Sequence, residues 1–450
     1  MTNIDQYKAD HLFLLVGTNP LPDWVAARLL LRSDGVVYLV YSSEPGKTIG
    51  DVQSVAYTAS TAKKLADYLS ATTLRTQPVY VPVAHESDSA VIYAAVYNAI
   101  RKLKETGKID YDHIVGLNYT GGTKVMAVHA YRAITDCHHE GHFVQPILSY
   151  LDARRLELAI DPTSSAPNRE VFDVALSEEA RIDLSGLFEL HQSRVPSLKR
   201  DVKARPIIDA LVALAASPSD WQAFKQWASR ELNEALLQKL KRNMPRSQLE
   251  NLRRTASATQ LPDANVNPRL MRLVRAVTSV QPAQQTGVAT LGSTCGAWGF
   301  TGFDGALDFA KFLDGAWLEH YVLACVQQHI HALAPARQGL YECARSVEFT
   351  ASDRTEFEID AAVMRGYQLY FVTCYSGRFG DTIKNKFFEA CIRARQLGGD
   401  EAKVALVCCD DSPRLTQNQL AERWGMGDRV RIFGRADLTD LSAGLSEWID

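Results

Sequence analysis

Short apolar runs alternate with helical stretches through the first 150 residues, and this alternation restricts the fold more than any other feature of the chain. Strand-like runs occupy 11–16, 35–41, 78–83, 113–117 and 145–151, with helical patterns between them at 22–32, 58–70, 88–105 and 124–134. Runs this short, with helices between them, predict a parallel sheet covered on both faces. In such sheets the ligand crevice lies beyond the carboxyl ends of the strands. Those ends carry small polar residues here: Thr18 and Asn19, Ser42 and Ser43, then Asn118, Thr120 and Thr123.

The rest of the chain divides by composition. Residues 153–195 read as a strand-rich connector, with a hairpin formed by 156–160 and 170–174. Residues 196–275 hold 15 Lys and Arg against 7 Asp and Glu, a local charge of +8 in a chain whose total is −3. Helical patterns at 206–216, 220–241, 246–254 and 268–277 dominate this basic insertion, and the Gly-, Thr- and Gln-rich stretch 278–303 reads as a loop or hinge. A second α/β unit follows. A long helix is expected over 307–331, then three antiparallel strands at 341–349, 357–365 and 368–374. A helix at 382–396, a strand at 403–409, a helix at 415–424, a strand at 429–433 and a closing helix at 438–449 complete it.

Composition excludes several classes. Near-neutral charge argues against a uniformly basic nucleic-acid coat or a charged disordered tail. The eight cysteines contain no CxxC pair, so buried, reduced thiols are expected rather than a disulfide framework or zinc ribbon. The opening apolar run spans only about six residues, and no later run approaches the roughly 18 that a membrane span requires. A cytoplasmic protein without membrane contact is the expectation.

The sharpest local signal is Asn118-Tyr119-Thr120-Gly121-Gly122-Thr123-Lys124, placed after a strand and before a helix. Paired glycines let the backbone turn and approach a ligand closely. The following helix start offers free N–H groups to an anion, the threonines add hydroxyls and Lys124 adds a cation. This chemistry suits phosphodiesters. Neither GxxxxGK[ST] nor GxGxxG is present, which disfavours a mononucleotide P-loop or a dinucleotide cofactor.

With the opening strand Leu12-Phe13-Leu14-Leu15-Val16-Gly17-Thr18-Asn19-Pro20, this motif resembles the CARF domain of type III CRISPR effectors. The resemblance implies a Rossmann-like domain over 1–152 that dimerises and binds a cyclic oligoadenylate, most simply the tetra-adenylate, across the two-fold axis. It implies that Asn118, Thr120, Gly121, Gly122, Thr123 and Lys124 contact phosphates and riboses. It further implies that Thr18, Asn19, Ser42 and Ser43 line the adenine pockets.

A second resemblance begins at Gly315-Ala316-Trp317-Leu318-Glu319-His320-Tyr321. A helix of this kind before a strand hairpin is similar to the restriction-endonuclease-like domain of CARF effectors of the Card and Can type, here 304–450. That resemblance implies a Mn²⁺ or Mg²⁺ ion held by Glu319 and Asp360, with Glu358 close by. The family's next strand ends in E-x-K, but Thr373 and Tyr375 stand in those places here. Lys384, with Lys386 and Glu389 beside it on the next helix, is positioned to lend the missing groups.

Two function classes follow. One is a cyclic-oligoadenylate-activated, metal-dependent nuclease with Asp360, Glu358 and Lys384 at its catalytic centre. The other is a sensor with an inactive nuclease scaffold that binds nucleic acid or protein through basic helices. A third reading, cleavage of the activator in its own pocket, lacks a visible general base. Arg269, Arg272 and Arg275 recur along one helical face and are the candidate nucleic-acid contacts.

Overall fold

The computed structural model describes residues 4–43, 52–73, 75–152, 154–162, 168–193, 198–241, 244–263, 265–279, 288–350, 356–377, 381–411, 413, 417–418 and 427–450. Its N-terminal unit runs β1 (Ala9–Leu15), α1 (Leu21–Leu30), β2 (Leu31–Ser42), α2 (Val52–Thr72), β3 (Val79–Val83), α3 (Ser89–Glu105), β4 (Ile114–Asn118), α4 (Lys124–His139) and β5 (Gln145–Asp152). The hairpin β6 (Glu157–Ile160) and β7 (Glu170–Asp173) then extends the same sheet. The strand order is β3-β2-β1-β4-β5-β6-β7. The first five strands are parallel.

Burial along β1 shows why the strands read as continuous apolar runs. Leu12 and Leu14 pack with α1 and α2, while Phe13 and Leu15 pack with α3 and α4. Both faces are covered, so no position can be polar without a partner. Because β1 lies beside β4, the chain leaves these two neighbours in opposite directions, and a crevice opens at their carboxyl ends.

The remainder comprises α5 (Leu184–Leu190), α6 (Arg205–Ala216), α7 (Pro218–Ala228), α8 (Arg246–Ala258), α9 (Met271–Thr278), α10 (Leu291–Thr294), α11 (Gly305–Lys311), α12 (Trp317–Ala332) and α13 (Pro335–Gln338). Then come β8 (Tyr341–Thr350), β9 (Glu356–Arg365), β10 (Gln368–Tyr375), α14 (Asp381–Gly398), β11 (Lys403–Cys408), β12 (Val430–Phe433) and α15 (Leu441–Ile449). The second sheet has the order β12-β11-β10-β9-β8, antiparallel from β8 to β10 and parallel from β10 to β12.

One apolar core runs from the first sheet through α5 to the second. The ring of Phe188 of α5 packs tilted against Phe349 of β8 with centroids 5.1 Å apart, and Leu406, Phe371 and Phe387 belong to the same cluster as Leu12 and Leu65. The opposite face of the second sheet packs against α12, α15 and the helices of the basic segment, including Ile207, Phe224 and Leu273.

Several expectations need correction. The helix expected over 220–241 ends as α7 at Ala228 and continues as a wide π turn, Ser229–Glu234, then a tight 3-10 turn, Leu237–Lys239. The helix expected over 307–331 is interrupted by a π turn, Phe312–Ala316, between α11 and α12. The stretch read as a loop folds where it is described: Thr290 and Ser293 form a capping box, and Leu291, Cys295 and Phe300 are buried. The helix expected over 415–424 lies almost wholly outside the described residues, only 417 and 418 being described. All eight cysteines are free thiols. Among the described residues, no helix is long and apolar enough to cross a membrane.

Candidate functional site

The glycine turn after β4 is shaped by its contact with the loop after β1. A Cβ on Gly121 would lie 2.0 Å from the Leu15 carbonyl oxygen and 3.0 Å from the Gly17 nitrogen. Gly122 has φ +69°, in the left-handed region where a side chain is disfavoured. The two loops therefore touch backbone to backbone, as only glycine allows. Beside them lies a cavity of about 730 Å³ bounded by Thr18, Asn19, Thr120 and Gly121 on one side and by Arg393, Arg395, Leu397 and Glu401 of the second unit on the other.

The predicted ligand contacts divide on inspection. Thr18, Asn19, Thr120, Gly121 and Gly122 line this cavity. The Asn19 amide also stands 3.4–3.5 Å from the carbonyl oxygens of Arg395, Gln396 and Leu397, capping the end of α14. The half-buried His191 ring, its pKa lowered to about 4 by desolvation, donates to the Leu397 carbonyl at 2.9 Å.

Other predicted contacts spend their side chains on the protein itself. Asn118 is fully buried, bonded to the Ser149 hydroxyl at 3.1 Å and the Thr120 N–H at 3.3 Å. Thr123 caps α4, accepting from the Met126 N–H at 3.1 Å and donating to the Glu86 carbonyl at 3.1 Å. Ser42 donates to Glu86 at 2.6 Å. Ser42, Ser43, Asn118, Thr123 and Lys124 do not line the cavity. Lys124 is exposed at the first position of α4. The physical reason is general: at the end of a buried strand, small polar side chains satisfy backbone groups first.

The second constellation lies on the second sheet. Asp360 of β9 is 4% exposed. It accepts from the Thr373 hydroxyl at 2.9 Å, the Cys374 backbone N–H at 2.7 Å and Lys386 Nζ at 2.8 Å. Thr373, standing in the acid's expected place, acts as a donor. The cation is Lys386 rather than Lys384, because α14 turns the former onto Asp360. Tyr375 packs partly buried against the apolar core.

Glu319 enters from α12. The π turn before it frees the Asp314 carbonyl, which accepts from Ser376 at 2.7 Å, and this insertion sets the rotation at which Glu319 arrives. Its carboxylate accepts from the Ser346 hydroxyl at 2.6 Å. Burial, reinforced by the Asp360 charge, pushes the Glu319 carboxyl up to about 7. Glu358, two residues before Asp360 on the same strand face, is raised by burial and by Asp360 and Glu348 as well. Lys386, held by Asp360, is shifted upward despite its own desolvation, and the buried Cys374 thiol is pushed well above its usual range by that burial. A cleft of about 220 Å³, lined by Glu358, Thr373, Lys386, Glu389 and Arg393, opens here.

Two residues that sequence reasoning missed support this site. Ser346 has φ +44°, a strained conformation in mid-strand, and falls between the Arg345–Ala361 and Val347–Ile359 pairs of the β8–β9 register, the level of Asp360. Arg345, 7% exposed, bonds the Asp201 carboxylate at 2.8 Å and the Ser346 hydroxyl at 3.3 Å. An Arg-Ser pair between the apolar residues Cys343, Ala344 and Val347 was the available signal. Arg272 and Arg275 are exposed on α9 while Leu273 and Val277 turn inward; Arg269, expected on the same helix, lies on the 3-10 turn before it, 3.8 Å from Asp220.

No protein-family profile matches the chain, and no curated protein matches it in sequence. Solved structures do. Protein VC1899 from Vibrio cholerae superposes with a TM-score of 0.61 at 17% identity, covering 98% of each chain. Can2 from Sulfobacillus thermosulfidooxidans, solved in complex with cyclic tetra-adenylate, gives 0.59 at 14% identity, covering 98% of this chain and 99% of its own. The likeness extends over both sheets and the helices between them, so this chain is built on the fold of VC1899 and Can2, with the Rossmann-like and restriction-endonuclease-like sheets that its two motifs resemble.

Proposed function

We propose that this chain is a cyclic-oligoadenylate sensor joined to a metal-dependent nuclease, with cyclic tetra-adenylate as the activator. The observation that carries the reading is the glycine contact between the β1 and β4 loops at the switch point of the first sheet. It sets both loops at the edge of a cavity large enough for a nucleotide ligand. Can2, of the same fold, was solved with cyclic tetra-adenylate. A ring of identical units suits a two-fold dimer, because each protomer offers the same groups.

In the effector half, Glu319 and Asp360 are the carboxylates that would hold Mn²⁺ or Mg²⁺. Carboxylate oxygens are the donors that a hard cation prefers, although among the described residues Glu319, Glu358 and Asp360 do not bring three ligand atoms within 4.8 Å of one another. The ion would supply Lewis acidity at the scissile phosphate. Lys386 neutralises Asp360 in the resting arrangement and, once released, provides positive charge near the phosphate, as Lys384 was expected to do. Thr373 orients Asp360. The basic face with Arg269, Arg272 and Arg275 supplies contacts to the nucleic-acid backbone.

One observation favours the second reading, a sensor with a silent nuclease scaffold. Asp360 Oδ2 already accepts from Thr373, Cys374 and Lys386, and Lys386 also lies 3.1 Å from Oδ1, so a metal ion must displace that cation before it can bind. One experiment separates the readings. Calorimetry with cyclic tri-, tetra- and hexa-adenylate measures sensing, and labelled DNA and RNA with Mn²⁺ or Mg²⁺, with and without ligand, measure cleavage. Heat with the tetra-adenylate and ligand-dependent cleavage lost in Asp360→Ala is the expected result. Heat without cleavage supports the silent scaffold. No heat with any ring removes the sensor.

A further inference from the structure

The sensor cavity and the acidic cleft share a wall. Arg393 and Phe357 line both. The Arg393 guanidinium carbon lies 3.5 Å from the centre of the Phe357 ring. One arm of the guanidinium donates to Gln396 Oε1 at 2.8 Å. Its Nε is buried and finds no acceptor among the described residues. A buried guanidinium N–H without an acceptor, held against an aromatic ring at the border of a nucleotide-sized cavity, gains a partner if the stack opens toward an anion there.

The position of Arg393 on α14 adds a second relation. Lys386 and Arg393 are seven residues apart, about two turns, and so lie on one face of the helix. One end of that face touches Asp360 at 2.8 Å. The other borders the sensor cavity, where Asn19 and His191 bind the last carbonyls of the helix. The neighbouring cation, Arg395, is engaged with Asp400 at 2.9 Å. Arg393 is therefore the cation on this helix with both an unspent donor and a place in each cavity.

We propose that Arg393 is a ligand-sensing residue: it takes a phosphate of the cyclic ligand in the sensor cavity, leaves the Phe357 ring, and so opens the acidic cleft around Asp360 and Lys386 to a polynucleotide. Phe357 is the lid of this device and α14 its connection to the cleft. The inference rests on the sensor reading above. It assigns the second unit a direct part in holding the ligand, so that binding and opening are one event. Ligand binding can act only through contacts that differ between two arrangements, and the Arg393 stack supplies such a pair.

The test uses the full chain with cyclic tetra-adenylate. Calorimetry compares wild type with Arg393→Met, Arg393→Lys and Phe357→Leu, and hydrogen exchange follows residues 356–375 with and without ligand. Each variant is first shown to melt cooperatively, as the wild type does. Arg393→Met is expected to weaken binding about tenfold or more, the loss of one charge-assisted hydrogen bond, with Arg393→Lys between the two. Phe357→Leu removes the stack that binding must break, so it is expected to bind more tightly than wild type, with cleft exchange already fast and no longer changed by ligand. Wild-type affinity in a folded Arg393→Met, or full ligand-dependent exchange in Phe357→Leu, overturns the proposal while leaving the sensor reading intact. Absence of heat with the wild type overturns both.

Discussion

Gly121 packs so tightly against Leu15 that a single added carbon would lie 2.0 Å from the Leu15 carbonyl oxygen. This contact fixes the distance between the two loops that form the floor of the sensor cavity. Gly121→Ala must push the loops apart, and overpacking of this kind costs about 1–3 kcal/mol. Urea denaturation is expected to show that loss, and calorimetry a cavity that no longer takes cyclic tetra-adenylate. Unchanged stability and binding would show that the loops are not held by this contact.

Lys386 and Lys384 make a discriminating pair. Lys386→Met leaves Asp360 without its cation, and we expect ligand-dependent cleavage to fall by about two to three orders of magnitude, the scale of a lost electrostatic contributor at a reacting centre. Lys384→Met should retain cleavage within a few-fold. Equal losses in the two variants would place the working cation elsewhere.

Arg345 joins Asp201 to Ser346 beneath Glu319. Removing it by Arg345→Met leaves the Ser346 hydroxyl with one fewer partner and the Asp201 backbone carbonyl without its donor. Asp201 is more than half exposed, so water replaces part of what is lost. A destabilisation of about 1–3 kcal/mol in urea is expected, near the lower range for breaking a buried pair. A change below about 0.5 kcal/mol, typical of surface substitutions, would mean that the strained Ser346 is held by the sheet alone.

Glu401, at the rim of the sensor cavity, is 3% exposed, and neither carboxylate oxygen has a hydrogen-bond partner among the described residues. Burial raises its pKa to about 8. The folded value lies above the unfolded one, so its contribution to stability is complete below about pH 4.5 and is lost as pH rises through 8. The melting temperature of Glu401→Gln, minus that of wild type, should therefore increase between pH 4.5 and 8. A difference that stays flat over this interval would show the carboxyl ionised in the folded protein.

Much of the architecture was legible before any coordinates. Strand positions in both sheets follow from apolar runs such as Leu12–Val16, because burial on two faces leaves no room for polar residues. The antiparallel hairpin β6–β7 follows from alternation, β8, β9 and β10 from apolar runs buried on both faces, and the paired glycines from their place between a strand and a helix. Helix interruptions were not legible. The π turn at Phe312–Ala316 has the apolar period of its neighbours, and only the demand to aim Glu319 at the sheet distinguishes it.

The same division runs through the functional residues. Residue chemistry and motif spacing nominated Gly121, Gly122, Glu319 and Asp360, because each depends on local backbone or on resemblance over a few positions. The fates of Ser42, Asn118 and Thr123 were decided by partners 31 to 44 residues away, which claimed their hydrogen bonds. The choice of Lys386 over Lys384 depended on the rotation of α14 against β9. The unpaired edge of Arg393 exists only because the two sheets meet across one core. Sequence determined which backbone turns and acids this protein has; the packing of α14 between two sheets decided which side chains remain free to act, since a polar group's chemistry is set by the neighbours that satisfy it.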